Sequence, residues 1–408
     1  MKKLLIVVGA GASLDFGMPS VKTIDGLLEN WSKEILPLKE DNNKGLYTWV
    51  REKLAEYISQ NPKNRVESII NFENLLYTIQ NLSALSRNDQ WQQFNNRLRP
   101  FIELNAFPEV DSVLGSDFNF LHSYLIDNLL KYFRNKCNTL DVDKSNELQL
   151  LRNFFLSLKE DFQLGFINLN YDNVVLSALP DLKTGFDTKT GEFKRELLYN
   201  SEWGFCYHMH GSVHFDMKGG DGTEMHKIFW NNDLSSTFSQ NSSGRSSNYT
   251  SEGIDHLNSC IIAGLDKTNQ LLKEPFGQYY MQLDRLAYES DAILIMGYGF
   301  SDIHLNRIFP FTRYDKTKTR KVVIIDWASE GEDGFTYRND SWTTGVFATF
   351  PYNGHEMGED KTRIPRPVSY YKSKKILEKS SNPVFPLAIW YDGIIDACKH
   401  GDKIIKEL

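Results

Sequence analysis

Leu4-Leu5-Ile6-Val7-Val8 runs directly into Gly9-Ala10-Gly11-Ala12-Ser13, and this change from apolar, β-branched residues to small ones decides how the chain reads. A short apolar run closed by glycine has the character of a buried parallel strand. Four further runs end in the same way. Leu164–Ile167 leads to Asn168-Leu169-Asn170-Tyr171-Asp172, and Phe205–Tyr207 leads to His208-Met209-His210-Gly211-Ser212. Ala292–Met296 leads to Gly297-Tyr298-Gly299-Phe300-Ser301-Asp302, and Val322–Ile325 leads to Asp326. In an open α/β sheet, ligands sit beyond the carboxyl ends of the strands. The five endings therefore predict an α/β, Rossmann-like parallel sheet with one composite site.

Between these strands the spacing changes. Val21–Trp31, Leu46–Ile58, Val66–Leu85, Phe118–Phe133 and Glu147–Leu158 carry apolar residues at helical intervals, and no convincing strand falls between residues 31 and 150. The expected organisation is a catalytic domain over 1–30 and 150–330, a large helical insertion over 31–149 after the first strand–helix unit, and a C-terminal extension over 331–408. Trp49, Phe72, Tyr77 and Trp91 in the insertion read as core. Residues 216–253 are rich in Gly, Ser and Asn around a short apolar patch, Ile228-Phe229-Trp230, and read as a long surface loop. Gln278–Glu289 reads as a helix, as does Gly393–Leu408 at the far end.

Bulk properties narrow the function classes. Apolar content of 41% and charged content of 24% are globular values, which excludes wholesale disorder. A net charge of −7 without a long basic tract argues against direct nucleic-acid binding. The four cysteines, Cys137, Cys206, Cys260 and Cys398, form no CxxC pair, which fits a reducing compartment and neither a zinc ribbon nor a disulfide scaffold. Lys2-Lys3 before Leu4–Val8 and Ala10-Gly11-Ala12 mimics a signal peptide. The glycines that interrupt it, with Asp15 close behind, favour a first strand and a cytoplasmic protein without a membrane anchor.

Each strand ending has a chemical and a structural reading. Gly9 to Ser13 suits a phosphate loop, because small residues let backbone N–H groups approach an anion, yet glycine turns also serve packing. Leu14 stands where a dinucleotide-binding fingerprint has its third glycine, and no acid-ended second strand appears at the usual distance. Asn170 and Asp172 can hold a ribose hydroxyl or a water, or form an Asx turn. His210 falls where the chain turns out of the sheet, with a pKa range suited to a general base. Cys206, His208 and His214 are spaced loosely, and no second ligand group completes a metal site; none is expected. Gly297, Gly299, Ser301 and Asp302 make a second glycine-rich turn that could contact a nucleotide or cap a helix. Asp326 can accept from ribose hydroxyls or cap the segment after its strand.

In this order the motifs resemble the sirtuin-like superfamily: Gly9–Ser13 with Gly17-Met18-Pro19, Asn170-Tyr171-Asp172, His210-Gly211, and Gly297–Asp302. More narrowly they are similar to the sirtuin-like domains of bacterial antiphage defence systems, which hydrolyse NAD⁺. The resemblance implies that Asn170 positions the attacking water or ribose and that His210 is the general base. It implies that Gly9, Ala10, Gly11 and Ser13 hold the pyrophosphate, with Asp172, Gly297, Ser301 and Asp302 as secondary contacts to NAD; Gly299 and Asp326, by their place at strand endings, are expected to join them. Deacylating sirtuins carry a structural zinc on paired CxxC motifs, and this chain has no such pair. Pro19 is followed by Ser20-Val21-Lys22 rather than an acidic-Phe-Arg triplet. Both departures point to NAD⁺ hydrolysis, with deacylation or ADP-ribosyl transfer as one alternative and a non-catalytic nucleotide sensor as another. The resemblance further implies a partner such as a HerA-type ATPase. A homo-oligomer is also expected, and because an unregulated NAD⁺ hydrolase would harm its own cell, so is a resting state held inactive by the insertion or the 216–253 loop.

Overall fold

The structure is a computed structural model that describes residues 1–60, 70–86, 109–110, 118–199, 202–218, 227–236, 243–249, 255–264, 271, 273–309, 318–330, 336–337, 340–350, 377–379 and 386–408. Its centre is a seven-stranded sheet. The strands lie in the order Leu377–Lys379, Leu387–Trp390, Lys321–Ile325, Ala292–Met296, Lys2–Val8, Phe162–Asn168, Phe205–His208. Leu377–Lys379 runs antiparallel to its neighbour, and the other six strands are parallel. Leu4, Leu5, Ile6 and Val7 have no exposure at all, as expected of a strand covered on both faces. Each such side chain contributes about 1.5–3 kcal/mol relative to staying in water.

The register levels the strand ends. Val8 lies opposite both Asn168 and Met296, Asn168 lies opposite His208, and Met296 lies opposite Ile325. All five polar or glycine-rich segments therefore begin at one height on one rim of the sheet. That rim lies at a topological switch, because the chain leaves Lys2–Val8 toward both neighbours.

The described part of the insertion is built of helices: Val21–Ile35, Leu46–Ser59, Phe72–Ser86, Phe118–Asn138, Leu140–Asp143 and Ser145–Asp161. Phe72 is buried, while Trp49 packs against the core from a partly buried position. Trp91 and the start of the helix expected over Val66–Leu85 lie outside the described residues. Arg51 bridges Asp25 and Glu29, tying the helix Leu46–Ser59 to Val21–Ile35.

Two expectations need revision. Residues 216–253 do not form one long loop. Phe215–Lys218 pairs with Lys227–Trp230, and Ser243–Tyr249 pairs with Asp255–Ser259, as two antiparallel hairpins. The apolar patch Ile228-Phe229-Trp230 is a strand because Phe215 and Phe186 give Trp230 aromatic neighbours, with ring centroids at 6.0 and 5.6 Å. Within 331–408, the described residues add strands to the sheet. Leu387–Trp390 extends the parallel sheet beside Lys321–Ile325. The single helix expected over Gly393–Leu408 is two, Gly393–Lys399 and Gly401–Glu407. No helix among the described residues is long and apolar enough to cross a membrane.

Candidate active site

Asn170 lies just beyond the strand Phe162–Asn168 and is 7% exposed. Its Nδ2 donates to the Gly9 carbonyl at 3.0 Å and to Ser13 Oγ at 2.9 Å. A carbonyl only accepts, so the amide orientation is fixed and both amide protons are used. The group that remains is Oδ1, for which the described residues provide no hydrogen-bond donor. Ser13 passes the relay on, since its hydroxyl bonds the buried carboxyl of Asp172. Burial raises the Asp172 pKa, while Ser13 and the Val174 amide, 3.1 Å from Oδ1, oppose that rise. The chain of donors thus runs Asn170, Ser13, Asp172.

His210 lies beside this relay. Its Nδ1 is 3.1 Å from the carbonyl of Leu169, and its Nε2 is 2.9 Å from Asp302 Oδ2. The carbonyl requires a proton on Nδ1. Nε2 and Asp302 Oδ2, 2.9 Å apart, can hold one further proton between them. Asp302 has a second duty as N-cap of the helix Ile303–Asn306, where Oδ1 accepts from the amides of His304 and Leu305 at 2.9 and 3.2 Å. Tyr298 supports the same turn. Its hydroxyl accepts from the Asp302 amide at 3.2 Å and donates to Asn306 Oδ1 at 2.8 Å. Asn306 donates to the carbonyl of Phe300, whose φ of 56° is in the left-handed region. Tyr280, a few residues into the helix Phe276–Glu289, has a buried hydroxyl without a partner among the described residues, and burial together with the nearby Asp302 charge raises its pKa.

The two glycine-rich turns interlock. The Gly9 amide donates to the Met296 carbonyl and the Gly11 amide to the Gly297 carbonyl, both at 2.9 Å. A Cβ on Gly297, where φ is 59°, would lie 2.0 Å from the Ala12 nitrogen. Two of the amides expected to face a pyrophosphate are therefore committed to holding the turns together. Ala10, Gly299 and Ser301 remain exposed, and a Cβ on Gly299 would meet nothing within 4 Å. Asp326 holds other groups: Oδ2 accepts from Trp342 Nε1 at 2.9 Å and Oδ1 from the Trp327 amide at 2.7 Å. It tethers the helix Asp340–Thr349 to the end of its strand.

The helix Phe118–Asn138 supports both motif loops, a role its sequence did not signal. The Phe133 ring meets the Tyr171 ring edge-on at 5.5 Å. The next residue, Arg134, is 2% exposed and donates from Nε to the Val213 carbonyl at 2.7 Å and from Nη2 to the Phe215 carbonyl at 2.9 Å. Burial lowers its pKa to about 10 against the opposing charge of Asp216. Three hydrogen bonds then lock the loops to each other. Val213 N donates to the Tyr171 carbonyl, Tyr171 Oη to the Ile262 carbonyl, and Ile262 N to the His210 carbonyl. Among the described residues no group of three or more His, Cys, Asp or Glu side chains is placed to hold a metal ion.

The fold and this rim define an α/β protein whose polar groups converge at the carboxyl ends of parallel strands. Residues 165–341 match the family model described as SIR2-like domain. That span contains Asn170, Asp172, His210, the Gly297–Asp302 turn and Asp326, and it excludes Gly9–Ser13. Among solved structures, the chain is similar to a mutant Sir2 homologue in complex with 2′-O-acetyl ADP ribose, at 10% identity over 80% of each chain and a TM-score of 0.31. No curated protein matches the chain.

Proposed function

We propose that this chain hydrolyses NAD⁺ to ADP-ribose and nicotinamide. The observation that carries the reading is the pairing of an open acceptor, Asn170 Oδ1, with a proton-holding pair, His210 and Asp302, at the ends of parallel strands on one rim of the sheet. In this scheme Asn170 Oδ1 accepts a hydrogen bond from water and fixes its oxygen. The glycosidic bond breaks, and nicotinamide leaves as a neutral molecule with the bonding electron pair. Water adds to the anomeric carbon, and its proton passes to the His210–Asp302 pair. The sugar cation has no need of a metal to form, and fixed dipoles can stabilise it. NAD⁺ would lie along the exposed edge formed by Ala10, Gly299 and Ser301, with Gly9, Gly11, Ser13 and Gly297 shaping the turn beneath it and Asp172 and Asp326 supporting its margins.

The match of residues 165–341 to a SIR2-like domain supports NAD-related chemistry in this chain. The order of motifs supports a narrower role as the NAD⁺-depleting effector of an antiphage system, working as a homo-oligomer with a HerA-type ATPase. The test is nicotinamide release by the purified chain, alone and with such an ATPase, beside Asn170→Ala and His210→Ala. Release that both substitutions abolish supports hydrolysis. Release only in the presence of an acylated peptide favours deacylation, and NAD⁺ that binds without turnover favours a sensor.

A further inference from the structure

A second cleft, of about 610 Å³, is walled by Asn173, Leu176 and Ser177 at the helix Val174–Ala178, and none of Asn170, Asp172, His210 or Asp302 lines it. The wall across from these residues comes from the helix Ser145–Asp161. Its volume lies within the range of small-molecule sites, ~300–1,000 Å³.

The chemistry of the floor is specific. His214 and Trp230 are stacked, with ring centroids 4.5 Å apart and planes within 12°. His214 Nδ1 lies 2.9 Å from the Asn231 carbonyl, so it carries the proton there and the lone pair stands at Nε2. Burial lowers the pKa of this histidine to about 4, which keeps the ring neutral. Asn173 is 9% exposed, and its Oδ1 has no partner among the described residues. The floor therefore offers flat aromatic surface and uncharged acceptors, while the lining also includes Asp141 and Arg152, whose guanidinium donates to the Ser177 and Ala178 carbonyls. A buried acceptor without a donor is costly, and a ligand N–H removes that cost.

We propose that this cleft binds an adenine nucleoside. A planar ring with an exocyclic amine extends the Trp230–His214 stack and supplies a donor for Asn173, while His214 Nε2, which accepts in the plane of its own ring, is left for a sugar hydroxyl. Asparagine is well suited to adenine because its amide can pair with the amine and the adjacent ring nitrogen together. Nicotinamide shares the ring and the N–H₂ group, but it leaves most of 610 Å³ empty. The volume has room for a base with its sugar, and the sugar hydroxyls have Ser145 and Asp141 in the lining as partners. Asn173 comes directly after Asp172, so occupancy holds the turn that carries Asn170. Resting on the NAD⁺ reading for this last step alone, the cleft is a control site for turnover.

The test is calorimetric titration of the full chain with adenosine and, separately, nicotinamide. The proteins are wild type, His210→Ala, Ser145→Trp and Trp230→Ala. Ser145 is exposed at the start of its helix, so its indole blocks the cleft without disturbing the core. Adenosine is expected to bind wild type and His210→Ala within twofold of each other and to bind Ser145→Trp and Trp230→Ala at least tenfold more weakly. Nicotinamide is expected to bind at least tenfold more weakly than adenosine. Absence of adenosine binding to wild type, or binding that Ser145→Trp leaves intact, overturns the proposal. NAD⁺ turnover is measured in the same samples, so adenosine binding without turnover counts against the hydrolase reading and leaves this cleft standing.

Discussion

Asp302 reaches His210 with one carboxylate oxygen while the other oxygen caps a helix, so a single side chain joins proton chemistry to the position of the turn. The two duties can be separated. Asp302→Asn keeps an oxygen for the amides of His304 and Leu305 and removes the group that shares a proton with Nε2. Nicotinamide release is expected to fall by about 10²-fold or more, the scale of a lost acid–base partner. The melting temperature should barely move. Asp302→Ala loses the cap as well, at a further cost of about 1 kcal/mol. Equal activity in Asp302→Asn and wild type would remove the carboxylate from the mechanism.

Ser13→Ala tests the relay from Asn170 to Asp172. It leaves one Asn170 amide proton without its partner and frees the side chain to rotate, so kcat should drop more than KM rises. Steady-state kinetics on NAD⁺ would show this split, and a change confined to KM would assign Ser13 to binding alone.

Gly297→Ala and Gly299→Ala form a contrasting pair. At Gly297 a methyl group meets the Ala12 nitrogen, and the backbone φ is positive, so roughly 3–5 kcal/mol of stability should be lost. At Gly299 the space is open, and stability should change by under about 0.5 kcal/mol. Urea unfolding of both variants checks this. If Gly299→Ala nonetheless weakens NAD⁺ binding, the exposed edge is where the nucleotide lies.

Arg134→Ala leaves the Val213 and Phe215 carbonyls without their donors, and a loss of about 3–6 kcal/mol is expected, at about 1.5–3 kcal/mol for each bond from a charged donor. Arg134→Lys can serve only one of them well and should cost about 1.5–3 kcal/mol. Hydrogen exchange of residues 208–215 should rise in the lysine variant even where the global fold persists. Unchanged exchange there would mean that the inserted helix does not hold the histidine loop.

Acid should destabilise the protein early. His122, His208 and His214 are buried, and burial lowers their pKa values to about 4, 3 and 4. The unfolded chain takes up protons on these residues near pH 6.5 while the folded chain does not. Stability is therefore full above pH 6.5 and declines as the pH falls toward 4, by up to about 1.4 kcal/mol per pH unit for each histidine. Urea midpoints between pH 7.5 and 4.5 measure the slope, and His122→Phe should flatten it.

The five strands were legible because a strand covered on both faces must be apolar throughout, and such runs leave a strong trace. Leu387–Trp390 left a weaker one, a four-residue run after a proline-rich stretch. Ser243–Tyr249 left none, since Ser, Gly, Arg and Asn fill it up to a single aromatic residue, Tyr249. Asn170 and His210 could be singled out by their place after a strand. Their partners could not: His210 and Asp302 are 92 residues apart, and only the strand order brings them together. The glycines were ambiguous for a physical reason. A turn that approaches an anion and a turn that approaches another turn both need the absence of a Cβ. Arg134 sits in an ordinary helical pattern and gave no sign of the carbonyls it reaches.

Placing Lys2–Val8 between Phe162–Asn168 and Ala292–Met296 has a consequence for the chain as it is made. Of the strands in this sheet, Lys2–Val8 waits longest after its own synthesis for its second neighbour, Ala292–Met296. At ~5–20 residues per second, synthesis through Met296 takes roughly 15–60 s. During that time Leu4–Val8 has at most one permanent neighbour, Phe162–Asn168. The nascent protein is then a client for chaperones, and yield in a cell should depend on how fast translation proceeds between the second strand and the fourth.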